Sequence, residues 1–282
     1  MTSSMTRRTF LKISGTTGTL AAIGPRELFA LQDYGGKRVP IALQLYTIGR
    51  DLTRDMAGSL AAVSKLGYKG VEFAGFNNVP ATDIRKMLED NGLKCVGCHT
   101  ALNTLQGDQF EPTVEFNKTI GNPRLIVPSL AGNLTASRKS LEDTADVFNA
   151  LSEKLKPLGM RTGFHCHPGE FREVEGATVW DIFFTRANKD VIMQLDLGHM
   201  GTAKADQVAY LKKYPGRAVT VHVKPANAAP LLGDAADTNS WPDIFKACET
   251  IGGTEWYIVE YDGGSMDKVI KTMDVLRGWG KA

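Results

Sequence analysis

All five histidines of the chain, His99, His165, His167, His199 and His222, fall at or just beyond the C-terminal end of a short predicted strand. Three carboxylates follow the same rule: Glu72, Asp196 and Glu260 each finish a run otherwise made of Val, Ile, Leu or aromatic residues. An ionisable group that ends a buried strand must be met by a partner or a cation, because its desolvation is otherwise uncompensated. One such histidine alone is ordinarily a hydrogen-bonding group. Gathered on one rim, imidazoles and carboxylates are the ligands of a divalent ion and the acids and bases of proton transfer.

The elements that must gather them are legible as a repeat. After residue 38, short β-branched runs alternate with amphipathic stretches. Strands are expected at 40–46, 70–73, 95–100, 124–128, 162–167, 191–196, 219–224 and 256–261, and helices at 54–66, 82–91, 137–158, 178–187, 203–214, 241–251 and 266–277. Gly67, Gly92 and Gly159 follow helices where a left-handed cap would sit. Eight strand–helix units predict a single-domain α/β chain folded as a (β/α)8 TIM barrel, whose strand ends form one rim. A doubly wound sheet is the runner-up, but no G-x-G-x-x-G or Walker loop supports its nucleotide-binding form. Alternation along the fifth strand sends His165 and His167 to the inner face, and Phe164 and Cys166 towards the helices.

Several segments together resemble the xylose isomerase-like TIM barrel superfamily: Leu43-Gln44-Leu45-Tyr46-Thr47, Gly70-Val71-Glu72-Phe73, His165-Cys166-His167 followed by Glu170-Phe171, Leu195-Asp196-Leu197-Gly198-His199, His222-Val223-Lys224 and Val259-Glu260-Tyr261. That group includes sugar phosphate isomerases and epimerases, inosose dehydratase and, more distantly, endonuclease IV. The resemblance implies one divalent cation held by four side chains from the fifth to eighth strands. Asp196, His222 and Glu260 match three of those places. The fourth, usually a glutamate, matches His165, with His167 as the alternative. Two imidazoles and two carboxylates suit Mn²⁺, Co²⁺ or Zn²⁺ better than Mg²⁺.

The implied reaction is enolisation of a keto-sugar or sugar derivative, leading to isomerisation or epimerisation. Glu260 is retained as a catalytic group, while the second family glutamate is replaced by His165. Proton handling then falls to His167, His199 or Glu170, with Lys224 stabilising an oxyanion, and Gln44, Glu72 and His99 contacting substrate. The His-x-His pair with Glu-Phe also resembles the branch that eliminates from a 3-keto-glycoside or inosose, so a lyase or dehydratase outcome at the same site is the alternative. Pro225 replaces the acid of the family's His-x-Lys-Asp. A non-catalytic carbohydrate-binding barrel is the alternative from another class.

Composition sets the remaining expectations. The 282 residues are 43% hydrophobic, enough for one large core. A net charge of +2 supplies no basic groove, so nucleic acid is not an expected partner and endonuclease activity ranks last. Cys95 and Cys98 form a C-x-x-C pair inside an expected buried strand, which argues against redox work. Asp262-Gly263-Gly264-Ser265 is the one weak candidate for anion binding. Residues 1–30, with Arg7-Arg8 before Phe10-Leu11-Lys12 and an uncharged stretch, resemble a twin-arginine export signal. The expectation is a cleaved signal, a linker over 31–38, a barrel over 39–282, and a periplasmic or secreted protein without a membrane anchor. A neutral carbohydrate is the expected small-molecule partner, and relatives of this kind are often homo-oligomers.

Overall fold

Parallel strands whose residues are buried on both faces read as near-continuous apolar runs, and eight such runs close on themselves here. The computed structural model describes residues 38–282. The proposed export signal, and the linker up to residue 37, lie outside the described residues. The barrel strands are β1 (Ile41–Gln44), β2 (Gly70–Phe73), β3 (Lys94–His99), β4 (Arg124–Val127), β5 (Arg161–His165), β6 (Ile192–Asp196), β7 (Thr220–Val223) and β8 (Trp256–Val259). Each pairs in parallel with its neighbours, and β8 closes on β1. The principal helices around them are α1 (Met56–Lys65), α2 (Ala81–Asp90), α3 (Phe110–Thr119), α4 (Arg138–Leu155), α5 (Val179–Arg186), α6 (Leu197–Thr202), α7 (Gln207–Lys213), α8 (Trp241–Ala247) and α9 (Met266–Gly278).

The inside of the barrel is layered. Its lower part is apolar, with Ala42, Val96 and Ile258 in one cluster and Ile126, Ile192 and Val219 in another. Two residues further along the same strands come Gln44, Gln194 and Glu260, which share the inward face by alternation. The outward face builds the barrel–helix core. Phe164 packs there against Phe148, Trp180 and Phe183, with ring centroids 5.1–6.1 Å apart, as alternation along β5 requires.

Gly67, Gly92 and Gly159 all take positive φ, as expected of left-handed caps. Some boundaries differ from expectation for identifiable reasons. The first strand ends at Gln44, because Leu45–Ile48 turns into a 3₁₀ helix whose Tyr46 amide donates to the Gln44 side chain. The helix expected at 203–214 is preceded by α6, which starts directly after β6 because Asp196 Oδ1 accepts from the His199 amide at 2.8 Å and caps it. The segment expected as one helix over 241–251 is α-helical only to Ala247, and Cys248–Gly252 continues as a π turn. A small hairpin, Glu173–Val174 against Ala177–Thr178, was not foreseen. All four cysteines are free and buried.

Gly97 shows how tightly the backbone serves the rim. The β2–β3 register shifts between Val71 and Glu72, and a Cβ at Gly97 would lie 2.4 Å from Glu72 Oε1. That carboxylate is pinned by partners described below and cannot swing aside. Gly97→Ala is therefore expected to destabilise the protein by about 2 kcal/mol, lowering Tm by roughly 4–8 °C. An unchanged thermal melt would show that Glu72 is not fixed.

Candidate active site

The predicted rim residues converge on the C-terminal mouth of the barrel. Their lowest tier is a network centred on a residue that strand-end reasoning missed. Gln194, fully buried on β6, donates from Nε2 to Glu72 Oε1 at 2.8 Å and to Thr220 Oγ1 at 2.9 Å. Its Oε1 accepts from His99 Nε2 at 2.9 Å and from His165 Nδ1 at 3.0 Å. The acceptor-only carboxylate fixes the amide's orientation, and the amide oxygen then fixes the proton on each imidazole. His165 is left with Nε2 free. Gln44 Nε2 donates to Glu72 Oε2 at 3.0 Å, and His222 Nε2 lies 2.6 Å from the same oxygen. His99 is 3.3 Å from it and stacks on His222, with planes 6° apart.

This environment sets the charges. Burial alone would raise the Glu72 carboxyl, but the His99 and His222 imidazoles and the Gln194 amide outweigh it and hold it below the usual range. Burial would lower His222, yet Glu72 and Glu260 overcome that and push it up to about 10. His165 and His167 go the other way. Burial drives His165 well below its ordinary value, and burial with the neighbouring His199 takes His167 down to about 4.

Above the network lie Asp196, His222 and Glu260, whose potential ligand atoms fall within 4.8 Å of one another. His222 Nδ1 is 2.7 Å from Glu260 Oε2 and 3.9 Å from Asp196 Oδ2. Among the described residues neither His222 Nδ1 nor Asp196 Oδ2 has a well-formed hydrogen bond, and Nδ1 is left with its ion pair to Glu260 Oε2. Two such buried polar atoms facing a third potential ligand atom fit the donor set of a cation site. Glu72 and Glu260 also give the site a negative potential, and a bound ion would take the place of the proton that they favour on His222. The donor set of one imidazole and two carboxylates suits a borderline first-row ion.

His165 and His167, the two readings for a fourth ligand, stand beside this group and not within it. His165 belongs to two neighbouring imidazole groups, one with His99 and His222 and one with His167 and His199. Its ring centroid is 4.6 Å from that of His222.

Lys224 spans the upper edge. Its Nζ is 3.2 Å from Glu260 Oε1, 2.7 Å from Asp262 Oδ2 and 2.9 Å from His199 Nε2. Burial opposes its charge, but Asp196, Glu260 and Asp262 more than compensate and push it up to about 12. The ammonium therefore donates to His199 Nε2, while His199 Nδ1 donates to the Cys166 carbonyl at 3.0 Å. Both His199 nitrogens are thereby engaged. Glu170, raised by burial, accepts the His167 amide at 2.7 Å and fixes the turn that carries that imidazole. The structure thus gathers the sequence-predicted site residues at one end of the barrel, but Glu72, expected to contact substrate, is sealed beneath the cavity with its oxygens engaged by Gln44, Gln194, His99 and His222. Glu170 and His199 make positioning contacts.

A cavity of about 430 Å³ opens above, lined among others by Gln44, Tyr46, His99, His167 and Glu260. Tyr46, 60% exposed, is an aromatic face at its edge that strand-end reasoning did not single out. Asp262, not foreseen as a partner of Lys224, lines it as well.

Comparison with known proteins bears on this arrangement. No curated protein matches the chain. Two crystal structures of sugar phosphate isomerase/epimerases from Parabacteroides distasonis are similar. One is 26% identical with a TM-score of 0.74 and covers 85% of this chain and 98% of its own. The other is 24% identical with a TM-score of 0.73, covering 86% and 94%. The IolI protein with a binding zinc atom shares the fold at 15% identity and a TM-score of 0.64, covering 86% of this chain and 98% of that one. The model of the xylose isomerase-like TIM barrel matches residues 60–279, from within α1 to just beyond α9, and the chain belongs to that family.

Proposed function

We propose that the protein is a metal-dependent sugar isomerase or epimerase that enolises a keto-sugar or sugar derivative. The observation that carries this reading is the convergence of Asp196, His222 and Glu260 at the barrel mouth, where Asp196 Oδ2 and His222 Nδ1 are buried without a well-formed hydrogen bond among the described residues. The zinc in the IolI structure and the names of the Parabacteroides relatives support it. Asp196, His222 and Glu260 would hold the ion, with His165 Nε2 the nearest free imidazole nitrogen on β5 for a fourth place. A divalent ion bound there, Mn²⁺, Co²⁺ or Zn²⁺, would supply a Lewis acid that polarises the sugar carbonyl and stabilises enediolate charge.

The chain's own groups provide the rest. Lys224 presents a charged donor at the edge where oxyanion charge develops, and Asp262 and His199 keep its Nζ in place. Glu260, held well below the usual carboxylate range because His222 and Lys224 outweigh its burial, is ionised and is the carboxylate of the cluster that reaches the cavity. It is the proton acceptor of this reading. His167, neutral and beside the same cavity, takes the opposite side. Tyr46 offers a stacking face for the sugar ring.

A second outcome is favoured by one feature. β5 carries His165 in place of a second carboxylate, and elimination of a β-oxygen from a 3-keto-glycoside or inosose needs only one abstraction, so a lyase shares this site. Export by the twin-arginine route to the periplasm, and assembly as a homo-oligomer, belong to the same proposal.

Incubation of the Mn²⁺-supplied protein with a panel of keto-sugars in D₂O is expected to place deuterium on the carbon next to the carbonyl. An unsaturated product would assign the lyase outcome. Binding of those sugars with no exchange and no elimination would replace the enzymatic reading with a carbohydrate-binding barrel.

A further inference from the structure

The mouth cavity is not the only one at this end of the barrel. A second, of about 330 Å³, is lined by Phe76, Pro112 and Phe116 with Thr104, Thr113 and Asn117 and the end of β3 from Cys98 to Ala101. His99 and Ala101 line both cavities, so the two are neighbours across the turn that follows β3. His99 cannot be loose at this junction, because Gln194 and Glu72 hold its Nε2 and its ring stacks on His222.

The chemistry of the two spaces differs. The mouth cavity carries imidazoles and carboxylates, as a polyhydroxylated ring requires. The second has no Asp, Glu, Lys or Arg in its lining, and its walls include two half-buried aromatic rings, Phe76 and Phe116, with centroids 4.3 Å apart. A phosphate or carboxylate would find no counter-charge there. A flat apolar group would find aromatic edges and faces. Its volume is comparable with that of the sugar space, so it takes a group of ring size.

We propose that the substrate is a carbohydrate bearing an apolar, ring-sized substituent, with the sugar over Glu260 and His167 and the substituent seated against the wall formed by Phe76, Pro112 and Phe116. This rests on the carbohydrate reading above, but not on its enolisation step, since it is read from binding without turnover.

The test compares methyl and phenyl glycosides of glucose, galactose and xylose by calorimetry on the full chain supplied with Mn²⁺. Phenyl glycosides are expected to bind about tenfold or more tightly than their methyl partners. Phe116→Ala is expected to reduce that preference to about threefold or less, with methyl glycoside affinity unchanged. Because emptying a helix position can also loosen the fold, Thr104→Trp provides the opposite change. It fills the pocket, and is expected to remove phenyl binding while sparing the methyl glycosides. Equal affinity within each pair, absence of saturable phenyl glycoside binding, or a preference that survives both variants overturns the proposal. Loss of self-association in Phe116→Ala with the phenyl preference intact overturns it in favour of a second copy as occupant. A phenyl preference without deuterium exchange leaves the inference standing and removes the enzymatic reading.

Discussion

Asp196→Asn is expected to reduce bound metal from about one ion per chain to near zero and to slow deuterium exchange about 1000-fold or more, a loss of about 4 kcal/mol of transition-state stabilisation. The substitution separates two functions of one side chain. Oδ1 accepts the His199 amide and caps α6, and an asparagine Oδ1 keeps that bond, so helix stability changes little. Oδ2 has no hydrogen-bond partner among the described residues and faces His199 Nδ1 at 3.5 Å and His222 Nδ1 and Lys224 Nζ, each 3.9 Å away. An amide nitrogen there presents hydrogens to groups that already carry them, and removes the anion that a cation would need. Elemental analysis beside the wild type, with thermal unfolding as the control for the fold, reads both effects. A variant that keeps its ion and its exchange rate would remove Asp196 from the ligand set. A wild type that takes up no Mn²⁺, Co²⁺ or Zn²⁺ would sink the metal-dependent mechanism.

The parts of this site that were legible in the sequence are those marked by charge. A buried strand rarely ends in an ionisable side chain without reason, so the histidines and Glu72, Asp196 and Glu260, all at ends of expected barrel strands, mark one rim. The eight-fold repeat was legible because parallel strands buried on both faces carry little but apolar residues between glycine-marked helix ends. Gln194 escaped because an amide carries no charge to flag it. Period-two alternation would have found it, two residues before Asp196 on the same face of β6. Tyr46 and the pocket between Phe76 and Phe116 escaped for another reason. They depend on which loops meet above the barrel, and no local pattern records that. The break before α7 lies in between, since Asp-x-x-His is a readable cap that a metal-ligand reading of the same carboxylate hides.

Gln194→Leu is expected to cost about 3 kcal/mol or more and to lower Tm by roughly 6–12 °C, although it touches neither the proposed ion nor the surface. Leucine fills similar space but makes none of the four polar contacts of the amide. Glu72 loses the donor to Oε1, His165 loses the acceptor that sets its tautomer, and Thr220 is left without its amide partner, all in buried surroundings. Gln194→Glu tests the same network with the opposite charge dependence. In the wild type Glu72 sits below its ordinary pKa, so its contribution is present above the unfolded value and fades as acid titrates it. A carboxylate at position 194 would stand against Glu72 Oε1, now 2.8 Å from the amide nitrogen, and the repelling pair must retain a proton. That raises a folded-state pKa, so the variant is least destabilised in acid and loses further stability as the pH rises above the ordinary glutamate range. Melts of both variants between about pH 4 and pH 8 decide the matter. If Gln194→Leu stays within about 1 kcal/mol of the wild type, or Gln194→Glu shows no such slope, the amide is not what holds Glu72, His99 and His165 in register beneath the site.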